Sequence, residues 1–193
     1  MSDYHHGGLR EALLERAVAV IGESGLDAVS LRGLARDLGV SHAAPGRHFA
    51  SRDALLKAVA MEGMVSLSDA VRTAMARADD DPVARLDAAG RAHLDWAFAN
   101  PAHYRALRNP EVMRHAEDEI AGLLGGIVAT VRETMREAQG EGWHAGADLR
   151  VELFRFASAV TGAALLVTNP MFTRVVGETG RDLYDDLLER LLA

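Results

Sequence analysis

Glu111, His115 and Glu119 stand four residues apart, so a helix through them would place two carboxylates and an imidazole on one face. With His93 and His103 they form a candidate for metal chemistry. Glu-His-Glu faces are equally ordinary solvated helix surface, and no compact ligand motif accompanies this one, so neither a metal nor a cofactor is expected. Asp79-Asp80-Asp81 runs straight into Pro82. It lacks the spaced ligands and glycine of a calcium loop and reads as a solvated turn. Cysteine is absent, which removes thiol nucleophiles, thiolate metal sites and disulfides together, and fits a reducing cytosol. There is no nucleophile elbow, no phosphate-binding loop and no acid–base pair. An enzyme is not expected.

A second kind of chemistry, reading a partner by hydrogen bonds, fits residues 30–49, SLRGLARDLGVSHAAPGRHF. Leu31, Leu34, Ala35 and Leu38 recur at helical spacing, and Ser30 sits where an N-cap belongs. Gly39 ends that helix, Val40 buries itself beside the turn, and Ser41 caps a second short helix. Ala35 is small where the second helix must cross closely. Small residue, glycine and aliphatic at this spacing are what a helix-turn-helix requires. An ordinary hairpin in an all-α protein would show the same pattern.

The elements that must hold this stretch are legible around it. Leu9, Leu13, Ala17, Val20 and Ile21 mark one face of a helix over about 8–24, ended by Gly25, which gives the two short helices a hydrophobic floor. Met1–Gly7 reads as an arm whose two histidines are solvated. Ser51 caps a long helix reaching about Ala78, and the next runs from about Pro82 to Asn100. A short piece through Tyr104 and Leu107 stops before Asn109-Pro110. A longer helix covers about 111–139, with Ile120, Leu124, Ile127 and Val131 as a narrow seam. Its Gly125-Gly126 suggests close packing of a neighbouring backbone, or a bend beside a cavity.

Asp148 begins a helix that is apolar on more than one face, in which Leu149, Leu153, Phe156, Val160, Ala163 and Val167 recur as 4-3-4-3-4. Asn169-Pro170 stops it, and a last helix offers Leu183, Leu187, Leu188 and Leu191. Two such helices either complete the monomer core or pack against symmetry mates as a four-helix interface. The pattern leaves both open.

Charge and length set further bounds. The chain has 193 residues, enough for one or two domains, and a formal net charge of −7. Residues 1–63 carry about −1 of this, so the acidic remainder would repel DNA and confine any duplex contact to the N-terminal part. No apolar run reaches the roughly 18–20 residues needed to span a bilayer and no secretory pattern opens the chain, so a cytoplasmic protein without a membrane partner is expected.

Tyr4-His5-His6-Gly7-Gly8-Leu9-Arg10, Ser30-Leu31-Arg32 and the run from Gly39 to Phe49, followed by Ser51-Arg52-Asp53-Ala54-Leu55-Leu56, resemble the tetracycline-repressor (TetR) family of bacterial transcription regulators. Phe98-Ala99-Asn100-Pro101 followed by Tyr104 resembles the ligand domain found with such an N-terminus. The resemblance implies an all-α homodimer of about nine helices. An N-terminal three-helix helix-turn-helix DNA-binding domain, 1–57, would precede a helical ligand-binding and dimerisation domain, 58–193. It also implies that the last two helices form the dimer interface, through Leu149, Leu153, Phe156, Val160, Ala163, Val167, Leu183, Leu187 and Leu191.

The resemblance assigns roles to matching residues. Arg32 takes a base-contacting position, where a guanidinium can donate two hydrogen bonds to guanine. His42 and Ala43 take further base-facing positions, and Arg47, His48 and Arg52 phosphate-contacting ones. Ser30 and Ser41 complete the expected DNA-binding set. Arg36 and Lys57 read as solvated surface. An effector pocket is expected from His93, Trp96, Asn100, Tyr104, Leu107, Met113 and Phe154, with Ala97 and Phe156 nearby; all would serve equally as plain core.

One position departs from the family pattern. Gly46 stands where an aromatic, most often tyrosine, is usual, and it follows Pro45. The expectation is a mobile recognition element and weaker DNA binding. Two readings result. One is a ligand-responsive DNA-binding regulator, in the first instance a repressor, that binds a palindromic operator as a homodimer and is released by a small apolar or amphipathic effector. The other is a small-molecule-binding or enzymatic all-α protein whose DNA binding has weakened through Gly46.

Overall fold

The computed structural model describes residues 8–114, 117–169, 171, 172, 174 and 181–193, and the side chains of Glu117, Val167 and residues 181–184 lie outside that description. The expectations for Tyr4 to Gly7, His115, Val167 and Leu183 therefore fall outside the described residues. Among those described there is no strand.

The described α-helices are α1 (Gly8–Ser24), α2 (Leu31–Asp37), α3 (Arg52–Arg77), α4 (Pro82–Ala99), α5 (Pro101–Leu107), α6 (Pro110–Arg114), α7 (Glu117–Gly140), α8 (Leu149–Val167) and α9 (Arg181–Leu192). Their ends have visible causes. Ser30 Oγ accepts from Gly33 N at 3.1 Å, Ser51 Oγ from Ala54 N at 3.1 Å, and the Asp81 carboxylate from Val83 N and Ala84 N. Asp148 Oδ1 accepts from Arg150 N at 2.9 Å. Pro82, Pro101 and Pro110 each open a helix, where a missing N–H costs nothing.

The chain forms two compact units: residues 1–64 with 100–121, and residues 65–99 with 122–193. The expected boundary at 57/58 and the observed change of unit at 64/65 both fall inside α3. In the first unit Leu13, Ala17 and Ile21 on α1 are fully buried, together with Leu34 and Ala35 of α2, Phe49, and Leu55, Val59 and Ala60 of α3. This is the hydrophobic floor expected from the 3.6-residue period.

In the second unit α4, α8 and α9 pack on one another. Gly90 lets α9 approach α4 closely, since a Cβ there would lie 2.6 Å from Leu188 Cδ2. Leu86, Leu94, Phe156, Val160, Ala164, Leu188 and Leu191 fill the interior. The 4-3 seam of α8 is thus partly spent inside its own unit. Phe156, Val160 and Leu191, expected at a dimer interface, are buried there. Leu149, Leu153 and Ala163 are half-buried, and Leu187 is exposed.

The turn between α7 and α8 is tied to the end of α9. Trp143 stacks on His144 and donates from Nε1 to Leu192 O at 2.7 Å. Arg155 donates to Glu152 at 2.8 Å and to Leu191 O at 2.9 Å, and His144 Nδ1 lies 3.0 Å from Glu152 Oε2. Burial pushes the Glu152 pKa up, but its hydrogen bonds with His144 and Arg155 prevail and hold it below the usual carboxylate value. The Arg150 side chain and backbone N–H lower Asp148 to about 2.

Both carboxylates are depressed on folding, so their stabilisation is complete above the unfolded pKa and fades as pH falls through the folded one. The melting temperature should therefore fall as pH drops from about 5 to 2, and Asp148→Asn should flatten that acid limb in a pH series of thermal melts.

Of the two expectations for Gly125-Gly126, close packing of a neighbouring backbone is overturned, whereas Gly126 does line a cavity. Both glycines are exposed, and a Cβ added at either would meet nothing within 4 Å. No described backbone packs on them, because the seam residue beside them, Leu124, itself faces outward, 47% exposed.

Candidate nucleic-acid interface

The turn of the motif is built from backbone hydrogen bonds that only a left-handed residue allows. Gly39 adopts φ 66°, which places its N–H on Arg36 O at 3.1 Å and the Val40 N–H on Ala35 O at 3.0 Å. This is the Schellman pattern of a glycine-terminated helix. Arg10 of α1 lies 5.4 Å from the ring centroid of buried Phe49, which anchors the far end of the motif to the same helix.

The second element differs from expectation. It is a single 3₁₀ turn, Pro45–Arg47, rather than an α-helix capped by Ser41. Pro45 has no N–H to reach Ser41 O, and Ala44 N takes that carbonyl at 3.0 Å. Arg47 N bonds to Ala44 O at 3.2 Å and His48 N to Pro45 O at 2.9 Å, continuing the three-residue spacing. Ser41 is exposed, and its side chain caps no helix.

Residues expected to touch DNA fall into three groups. Ser30, Arg32 and His42 line one groove of about 540 Å³, together with Arg16, Arg36 and Asp37 among others. Ala43 and Arg47 are exposed on the turn, and His48 is half-buried. Arg52 is the exception. Its Nη2 donates to Leu26 O at 2.8 Å and its Nε to Val29 O at 3.0 Å, with Asp27 and Asp53 carboxylates 3.7 Å away. The guanidinium expected on a phosphate instead clamps the turn between α1 and α2 to the start of α3.

Arg16 and Arg105 were not singled out by the sequence. Arg16 Nε donates to Asp37 at 3.1 Å, bracing α2 against α1. Arg105 Nη1 donates to Ile21 O at 3.1 Å and Gly22 O at 3.3 Å, occupying carbonyls at the end of α1. Neither has a signal in local sequence, because each acceptor is a distant backbone atom or side chain. Arg36, read as solvated, is exposed but lines the groove.

The expected effector residues divide between the two units. In the first, Tyr104 and Leu107 are buried, and Asn100 and Met113 half-buried. Burial pushes the Tyr104 phenol up, against the nearby Arg108. It pushes the neighbouring His103 imidazole down, against the Glu62 carboxylate. In the second unit His93 is half-buried, and buried Trp96 donates from Nε1 to Ser66 Oγ at 2.9 Å. Phe154 departs from expectation: at 75% exposed it stands on an outer face of α8. Of the residues considered for a metal, Glu119 accepts from Lys57 Nζ at 2.7 Å.

A family model described as bacterial regulatory proteins, tetR family, matches residues 13–59. A second, the tetracyclin repressor-like C-terminal domain, matches residues 86–192. The chain belongs to the TetR family. The HTH-type transcriptional regulator Mb1846 of Mycobacterium bovis is 35% identical over 113 residues, 55% of this chain and 47% of that protein. The match thus spans about half the length of that relative.

A solved protein with unknown function from Rhodococcus sp. RHA1 is 28% identical over 100% of both chains, with a TM-score of 0.71. The TetR family transcriptional regulator PfmR from Thermus thermophilus shares the fold at a TM-score of 0.70 and 22% identity, over 92% of this chain and 97% of that one. Membership in this family makes residues 30–49 its helix-turn-helix stretch.

Gly46 now has a structural reading. A Cβ at Gly46 would meet nothing within 4 Å, and the residue is exposed. The site therefore accepts a side chain. Gly46→Tyr is expected to tighten operator binding by about 1 kcal/mol, roughly fivefold, by adding one hydrogen-bonding group and removing a flexible residue. Equal or weaker binding at fixed salt, measured by fluorescence anisotropy, would remove Gly46 as the weak point.

Proposed function

We propose that this chain is a cytoplasmic, effector-responsive transcriptional regulator that binds a two-fold operator as a homodimer, with repression as its default action. The observation that carries this reading is the presentation of Arg32, His42 and Arg47 around a glycine-turned motif, in a chain of TetR-family type over both of its parts. Arg32 would read base edges, and the exposed Arg47 would set register on a phosphate. Ser30, Ser41, His42, Ala43 and His48 complete the DNA-facing set. The half-buried His48 contributes least. No described helix is long and apolar enough to cross a membrane, which agrees with a regulator of cytoplasmic DNA.

Dimerisation is supported by an apolar face that the second unit leaves exposed. Val151, Phe154, Leu165 and Leu166 on α8 and Leu187 on α9 are all well exposed, an unusual cost for large side chains. We place the interface on this face, with the half-buried Leu149, Leu153 and Ala163 at its margin. The buried Phe156 and Val160 support it from beneath. Phe154→Asp should convert the dimer to monomer in light scattering and weaken operator binding together. A wild-type monomer at micromolar concentration would contradict this interface.

In a dimer, two recognition turns must meet successive major grooves about 34–36 Å apart, and an effector that favours another spacing lowers affinity. The direct test is an electrophoretic shift on DNA upstream of the chain's own gene. Saturable, salt-sensitive binding that is lost in Arg32→Ala supports the reading. Binding to no DNA, with turnover of a small molecule, would favour the enzymatic one.

A further inference from the structure

The first half of α7 is an anomaly for a folded chain. Residues 120–131 carry no charge, yet Ala121, Gly122, Leu124, Gly125, Gly126, Ala129 and Thr130 are exposed. Within the second unit, a groove of about 230 Å³ opens between this stretch and α3. Its apolar lining is Val71, Met75 and Ile127, and its polar lining is Ser68, Arg72 and Thr130. Gly126 lines the same groove, so the helix presents bare backbone there instead of a side chain. None of these residues belongs to the pocket expected from the sequence.

We infer that this groove binds a small amphipathic carboxylate, its aliphatic part against Val71, Met75 and Ile127 and its carboxylate on Arg72 with hydroxyl support from Ser68. Size argues for a short ligand, because the volume is below the roughly 300 Å³ at which drug-sized pockets begin. Charge argues for an anion. Among the described residues, Arg72 is the one ionisable group lining the groove, and it holds only an exposed pairing with Asp69 at 2.6 Å. Exposed pairs of this kind are weakly held, so a ligand carboxylate can replace Asp69 at little cost. Guanidinium and carboxylate then meet in a geometry that an alcohol cannot match. Gly126, which the packing of the chain does not use, gains a purpose: it keeps the groove open.

This inference deepens the reading of the chain as effector-responsive, but binding is measurable without DNA. Octanoate is the probe, with octanol as its uncharged counterpart, in calorimetric titration of the full chain. The expected result is saturable octanoate binding with Kd below about 1 mM, at least tenfold tighter than octanol. Gly126→Leu should weaken octanoate at least tenfold by filling the groove, and its melting temperature should not fall, since nothing lies within 4 Å of a Cβ there. Arg72→Gln should erase the preference for octanoate over octanol. Absence of saturation below that limit, equal binding of octanol, or unchanged octanoate binding by Gly126→Leu overturns the site. Operator titration of the same samples separates the two claims: intact DNA binding without octanoate binding removes the groove and leaves the regulator.

Discussion

Replacing Arg52 by alanine should destabilise the protein and weaken DNA binding without changing how that binding responds to salt. The side chain makes two charge-assisted hydrogen bonds, to Leu26 O and Val29 O. Losing a hydrogen bond from a charged group costs about 1.5–3 kcal/mol, and Leu26 O would keep only its bond from Val29 N. The turn they hold, Leu26–Ala28, joins α1 to α2 and so sets the position of Arg32. Operator affinity should therefore fall by a similar factor on every sequence. A phosphate contact behaves differently: its removal lowers the salt slope by about one. Arg47→Ala should do that, with melting temperature unchanged. Wild-type stability in Arg52→Ala, together with a reduced slope, would return Arg52 to the DNA.

Arg32→Ala should cost about 1–3 kcal/mol in operator affinity and relax selectivity at one base pair of each half-site. Arg32 is exposed on α2, so its loss should leave the thermal melt unaltered. The discriminating measurement is a set of single-base operator variants titrated with both proteins. A uniform loss across all variants would make Arg32 a phosphate contact rather than a reader of bases.

Much of the fold was legible because its signals are local. Ser30 and Ser51 read as caps, and each accepts a backbone N–H from the first turn of its helix, as does Asp148 at the helix start where the sequence puts it; Ser41 is the cap that fails. Gly25 and Gly39 were read as terminators, and both take positive φ. What escaped depends on distance in the chain or on partner choice. The Arg52 clamp reaches 26 residues back to a carbonyl, and no side-chain pattern encodes a carbonyl.

The Pro45-Gly46 pair carried its own warning, yet the outcome turned on which carbonyl Ala44 would take. On α8, periodicity found an apolar seam but could not say whether it faces inside or outside, since Phe154 and Phe156 are both apolar. Burial separates them, at 75% and 7% exposed. The glycine pair suggests a close neighbour or a cavity equally, because a glycine beside open space looks like one that admits a backbone, and the structure puts Gly126 beside a groove.

Residues 30–49, proposed as the DNA-reading head of a dimeric regulator, are best tested by an anisotropy titration of wild-type protein on a palindrome selected from random DNA, repeated across a salt series. The expected result is one dimer per palindrome, a steep fall of log affinity with log salt, and weaker binding to a scrambled duplex by at least about a thousandfold. Equal affinity for palindrome and scrambled duplex, or no salt-dependent binding at all, would contradict it.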